Sequence, residues 1–222
     1  ATVIGVDINE EALRVARKTL GNQYVSRPCD VTKSQHIVDL FEYVDGTFGK
    51  LDILVNNAAG VRLMDFQDIE EEDFSFHFDL LLKGPILLVK YFSSLLYKTA
   101  NPSIVNIGSV ASLILAPKHL LYSLAKGALE RFTHQLARDL PGIRSNCILP
   151  AAIETPILKA YGEENVQTMI KTLSEKLPCR RFGKPEDIAN CILFLSSEKA
   201  SFISGTSIVV DGGLSRTAEF GI

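Results

Sequence analysis

Three residues carry the chemistry that this sequence supports best: Ser109, Tyr122 and Lys126. The tyrosine and lysine stand four apart in "YSLAK", so on a helix they share one face and the ammonium can lie beside the phenol. A phenol at its ordinary pKa of about 10 is too weakly ionised to act as a base at neutral pH, and a neighbouring cation favours its phenolate. Ser109 closes the apolar run "SIVNIGS", where a hydroxyl can donate to a substrate carbonyl oxygen while the tyrosine exchanges the proton. The four-residue spacing also arises by chance on amphipathic helices, so its meaning depends on the elements that bring Ser109 and Tyr122 together.

Those elements alternate. A strand over Thr2–Asp7 leads to a helix over Glu10–Leu20, capped by Asn9 and opening on two glutamates. A strand at Gln23–Arg27 precedes a helix over Ser34–Phe48, with Thr32 as its expected cap. The third strand lies in "LDILVNNAAG" and is followed by one long helix from Glu70 to Lys98, whose acidic start complements the helix dipole. After "SIVNIGS" come a helix over His119–Leu140, the strand "IRSNCIL", a loop, the helix "KPEDIANCILFLSS" and the strand "TSIVVDGG". Apolar strands without alternation are buried on both faces, which predicts a three-layer, doubly wound parallel sheet with strand order 3-2-1-4-5-6. An acid at a strand end, about 20 residues after a glycine loop, marks the second strand of such a sheet. Asp7 fits that place, and the turn after it, Ile8-Asn9-Glu10-Glu11, has no glycine and two carboxylates that repel a pyrophosphate. The reading therefore expects a first strand, a glycine-rich turn and a helix upstream of Ala1, about 30 residues. Without them the strands on either side would flank an unpaired gap.

The 222 residues are 46% hydrophobic and 22% charged with no repeat or low-complexity run, which predicts one domain. A net charge of −3 offers no basic surface for nucleic acid, and no apolar run reaches a membrane span. Four scattered cysteines without a C-x-x-C pair predict buried, reduced thiols and a cytoplasmic protein, and the four histidines have no metal-ligand spacing.

At this point the sequence resembles the short-chain dehydrogenase/reductase family, single-domain type, over its whole length. "CDVT", "LDILVNNAAG", "IVNIGSVAS", "YSLAK", "PAAIETP", "RRFGKPEDIANCILFLSS" and "SGTSIVVDGG" stand in the family's order and spacing. The resemblance implies Tyr122 as catalytic acid/base and Ser109 as its carbonyl-polarising partner. It implies that Lys126 lowers the tyrosine pKa and binds the nicotinamide ribose. Asp7, with Ile8 beside it, resembles the acid that accepts the ribose hydroxyls of NAD and repels the 2′-phosphate of NADP. Asp30 and Val31 would flank the adenine, although Asp30 equally suits a helix cap. Asn57, Ala58, Ala59 and Gly60 would stabilise the central sheet and pass close to the cofactor. Pro150, Ile153 and Thr155 look like the segment that holds the nicotinamide amide, and residues 155–178 like a lid over the substrate.

Besides the glycine-rich turn that the sequence shown lacks, two departures from the family pattern matter. Leu81 stands where the family usually has an asparagine that holds a water in the proton relay behind the lysine, which predicts slowed proton transfer. Ala151 replaces a glycine after Pro150, a milder change. The expected activity is hydride transfer between NAD and a secondary alcohol or ketone. The rival is a non-catalytic cofactor-sensing or scaffold protein, which Leu81 favours and the intact Ser109, Tyr122 and Lys126 oppose. A hydrolase lacks its G-x-S-x-G elbow. The helices over 70–98 and 119–140 carry more apolar residues than one sheet face covers, and with the resemblance they imply a homodimer or homotetramer.

Overall fold

The computed structural model describes residues 1–162 and 166–217. Strands and helices alternate along them as β1 (Val3–Asp7), α1 (Glu10–Leu20), β2 (Tyr24–Pro28), α2 (Ser34–Phe48), β3 (Ile53–Asn56), α3 (Glu71–Phe78), α4 (Gly84–Leu96), β4 (Ser103–Ile107), α5 (Leu120–Asp139), β5 (Arg144–Pro150), α6 (Val166–Lys176), α7 (Pro185–Ser196) and β6 (Ser207–Val210). All strand pairing is parallel, as the unalternating apolar strands require.

The ladder falls into two sheets. β1 pairs with β2, Val3 opposite Tyr24, while β3, β4, β5 and β6 pair in that order, with Ile53 opposite Ser103. Among the described residues, neither β1 nor β3 has a partner on its other edge, and Val3, Ile53 and Val55 are exposed there. This break is where the 3-2-1-4-5-6 order puts its first strand. One core nevertheless spans both sheets. Ile37, Leu40 and Val44 of α2 and Leu88, Phe92 and Leu95 of α4 pack with Ile4 and Val6 of β1 and Leu54 of β3. Strand alternation then divides β4 between two faces. Ile104 joins α4 and Leu136 of α5, while Val105 and Ile107 join Ile188 and Leu195 of α7.

Three local expectations change. The single helix over 70–98 is two helices joined by a π-helical turn at Asp79–Lys83. Widened turns of this kind commonly sit at functional sites, and this one precedes Gly84-Pro85, where the proline removes a ladder donor. A Cβ at Gly84 would lie 2.8 Å from Val31 O, so glycine permits the close approach of α4 to the β2–α2 loop. The cap of α2 is Lys33, not Thr32, whose hydroxyl instead donates to Asp30 Oδ1 at 2.7 Å. The expected loop before α7 contains the turn Pro156–Tyr161 and α6, with residues 163–165 of the expected lid outside the described ones. No described helix is long and apolar enough to cross a membrane.

Candidate active site

The site forms where β4 ends and α5 begins. Ser109 is extended (φ −165°, ψ 150°) and caps the short turn Val110–Ser112, its Oγ accepting from Ala111 N at 3.1 Å. Its hydroxyl is close enough to the Tyr122 phenol to draw that group's pKa downward. Tyr122 lies in the first turn of α5 and Lys126 one turn further along, buried, with Nζ 5.8 Å from the centre of the tyrosine ring.

Burial decides the titration of both groups. It pushes the Tyr122 phenol up to about 12, against the influence of the Ser109 hydroxyl. It pulls the Lys126 ammonium down to about 8, with the nearby Cys147 thiol acting in the opposite direction. The lysine donates to Ile107 O at 2.6 Å. An ammonium has three protons, so two remain to be placed on other acceptors.

The site rests on a polar network that the sequence reading missed. Glu130 lies one turn beyond Lys126 on α5. Its carboxylate accepts from Ser112 Oγ and from Ser207 Oγ of β6, each at 2.7 Å. His134 Nε2 lies 2.9 Å from Ser207 Oγ, and Ser112 Oγ also lies 2.9 Å from the carbonyl of Ser109. A charged acceptor thus holds the turn that carries Ser109. The only sequence signal was the 126, 130, 134 stripe on one helix face.

The remaining site residues divide between two regions. Asp7 is exposed at the end of β1, with Oδ1 accepting from Asn9 N at 2.8 Å, and Ile8 beside it is exposed too. Asp30 serves neither as the cap of α2 nor as a free carboxylate. Burial pushes its pKa up, but the hydroxyl and amide of Thr32 at 2.7 and 2.9 Å leave it below the usual range. Val31 is buried in the core of α2 and α4. Asn57, Ala58 and Ala59 are exposed, and Gly60 is half-buried with Phe76 so close that a Cβ would meet its ring at 2.9 Å. The sheet-stabilising role expected of Asn57 belongs to Asn56, which donates to Asn106 Oδ1 across to β4 at 2.7 Å. Buried His77 ties the adjoining loop to α3, accepting from Arg62 N at 3.2 Å. Pro150, the last residue of β5, is half-buried, and Ala151 after it packs with Val110, Cys147 and Leu149, so its methyl is accommodated. Ile153 is buried and bridges Gly183, while Thr155 starts the 156–161 turn.

Cys29 and Cys147 are buried as expected, Cys191 is half-buried, and Cys179 is exposed against expectation. No group of metal-binding side chains occurs among the described residues.

Residues 1–215 match the family model described as enoyl-(acyl carrier protein) reductase. The chain belongs to the short-chain dehydrogenase/reductase family. It is 39% identical over 171 residues to an uncharacterised oxidoreductase of Thermotoga maritima, covering 75% of this chain and 68% of that protein. It is 33% identical to the NAD-dependent glycerol dehydrogenase of Listeria innocua, over 96% of this chain and 84% of that protein. An NADPH-bound short-chain oxidoreductase from Pseudomonas aeruginosa PAO1, with an atypical catalytic center, superposes with a TM-score of 0.90. The two are 29% identical over 98% of this chain and 88% of that one. The family is one of nicotinamide-dependent oxidoreductases, and the relatives include users of both NAD and NADPH.

The residues present fit two parts of such a cofactor. Lys126, fully buried with protons to spare, suits the nicotinamide ribose, and Asp7 at its strand end suits the adenosine ribose. The β1–α1 turn, with Glu10 and Glu11, is not a pyrophosphate cradle.

Proposed function

We propose that this protein moves a hydride between NAD(H) and a secondary alcohol or ketone. The observation that carries the reading is half-buried Tyr122 with buried Lys126 one helical turn further along α5 and Ser109 beside the phenol. When bound, the nicotinamide accepts or supplies the hydride. In the reduction direction Ser109 turns its hydroxyl to the carbonyl oxygen and stabilises the charge that gathers there. Tyr122 gives that oxygen its proton, a task suited to a phenol held protonated by burial. In the oxidation direction Tyr122 must take the proton, and the Lys126 ammonium favours the phenolate. Lys126 and Asp7 hold the two riboses, Asp30 and Val31 flank the adenine, and Asn57, Ala58, Ala59 and Gly60 pass close to the cofactor. Pro150, Ile153 and Thr155 hold the nicotinamide amide.

NAD is the proposed cofactor because an exposed carboxylate at Asp7 opposes a 2′-phosphate with no cation within its own turn. The protein works as a homodimer or homotetramer in the cytoplasm, its subunits meeting over Phe74, Ile86, Leu120 and Leu124, which α3, α4 and α5 leave exposed. Leu81, 1% exposed in the π-helical turn, favours the non-catalytic reading. Incubating the protein with NAD and secondary alcohols deuterated at the carbinol carbon decides between them. Hydride transfer puts the deuterium on the nicotinamide, and a scaffold leaves it on the alcohol.

A further inference from the structure

A histidine and a second tyrosine stand against Tyr122. The ring of His119, the residue before α5, lies 6.1 Å from that of Tyr122 and nearly perpendicular to it. Tyr161, the last residue of the 156–161 turn, has its ring 5.7 Å from that of His119. The protons of this pair can be placed. His119 Nδ1 lies 2.6 Å from Pro117 O, which can only accept, so Nδ1 carries the hydrogen and Nε2 offers a lone pair. Nε2 lies 2.7 Å from Tyr161 Oη, so the phenol gives its single proton to the imidazole. Toward anything else the Tyr161 oxygen can then only accept. Tyr161 is half-buried, and it is close enough to Tyr122 that charge on its oxygen raises the pKa of that phenol.

A wall with one fixed acceptor beside the reacting centre discriminates by hydrogen bonding. A site built to pair with a hydroxyl rejects the analogue that lacks one more strongly than an apolar pocket rejects an extra methylene. We propose that Tyr161 is a specificity-determining residue whose oxygen accepts a hydrogen bond from a second hydroxyl of the substrate, near the carbon that reacts. The preferred substrates are then diols and hydroxyketones rather than simple alcohols and ketones. His119 is a positioning residue that acts by accepting the hydrogen bond of the Tyr161 hydroxyl. The proposal rests on the dehydrogenase reading above.

The test compares 2,3-butanediol with 2-butanol, using the purified protein and NAD. The wild type is expected to favour the diol in kcat/KM by at least about 10-fold, the value of roughly one hydrogen bond. Tyr161→Phe brings that ratio close to one. His119→Gln, whose amide oxygen still accepts from the phenol, keeps the preference. His119→Leu frees the phenol proton and shifts selectivity toward 2,3-butanedione over 2-butanone in the reverse reaction with NADH. A wild-type ratio near one, or a Tyr161→Phe variant that keeps the preference, overturns the proposal while turnover of 2-butanol leaves the dehydrogenase reading in place. Turnover of neither alcohol by the wild type overturns both.

Discussion

Replacing Lys126 with methionine tests whether burial governs the site. Lys126 is fully buried and makes one hydrogen bond, to Ile107 O. Its ammonium loses its proton near pH 8 in the folded protein and near 10.5 when unfolded. Between those values the unfolded chain binds more protons, so wild-type stability rises with pH, and below 8 the full cost of the buried charge is present. At about 1.4 kcal/mol per pH unit the cost amounts to about 3 kcal/mol at pH 7. Methionine conserves the length of the side chain and carries no charge, but it leaves Ile107 O without its donor, a loss of about 1–2 kcal/mol at every pH. Lys126→Met is therefore expected to be more stable than the wild type at pH 7 and less stable at pH 10, with the curves crossing between. Tyr122 keeps its proton in the folded state up to pH 10 in both proteins, and its titration in the unfolded chain is common to them. Urea unfolding at half-unit steps from pH 6.5 to 10, with slopes compared to exclude a change in the unfolded state, gives the curve. A stability difference that stays constant across that range refutes the reasoning, because a lysine that pays no desolvation cost has no reason to titrate early.

Other expectations follow from the same geometry. Leu81→Asn buries an amide in an apolar turn and is expected to lose about 3 kcal/mol of stability, by thermal or chemical unfolding, while its kcat rises if the leucine slows proton transfer. Gly183→Ala places a methyl against Ile153 Cδ1 and is expected to lose about 1–3 kcal/mol and to raise KM, measured by unfolding and by substrate saturation. Asp7→Ala is expected to raise the preference for NADP over NAD by at least about 10-fold in kcat/KM, since it removes the charge that opposes the 2′-phosphate.

What the sequence carried, it carried through local rules. α1 and α2 have the boundaries expected of them, because their apolar stripes and flanking residues act within one or two turns. Tyr122 and Lys126 were legible because four residues on a helix fix their geometry, and Ser109 because it follows a buried strand. The π-helical turn at Asp79–Lys83 was not legible, since one extra residue in a ladder leaves the apolar pattern almost unchanged. Asn56 and Asn57 are adjacent, and only the pleat decides which side chain turns inward to Asn106. Partners far apart in the chain were beyond reach as well. Glu130 and Ser207 are separated by 77 residues and His119 and Tyr161 by 42, so only the folded arrangement shows that they meet.

The central claim is that Tyr122 exchanges the substrate proton during hydride transfer. Alcohol-dependent formation of NADH by the wild type and by Tyr122→Phe, in parallel with NADH binding by fluorescence, tests it most directly. The account predicts turnover by the wild type, a loss of about 100- to 10,000-fold in the variant, and closely similar NADH binding by the two. Equal turnover by both proteins, or none by the wild type while it binds NADH, would contradict it.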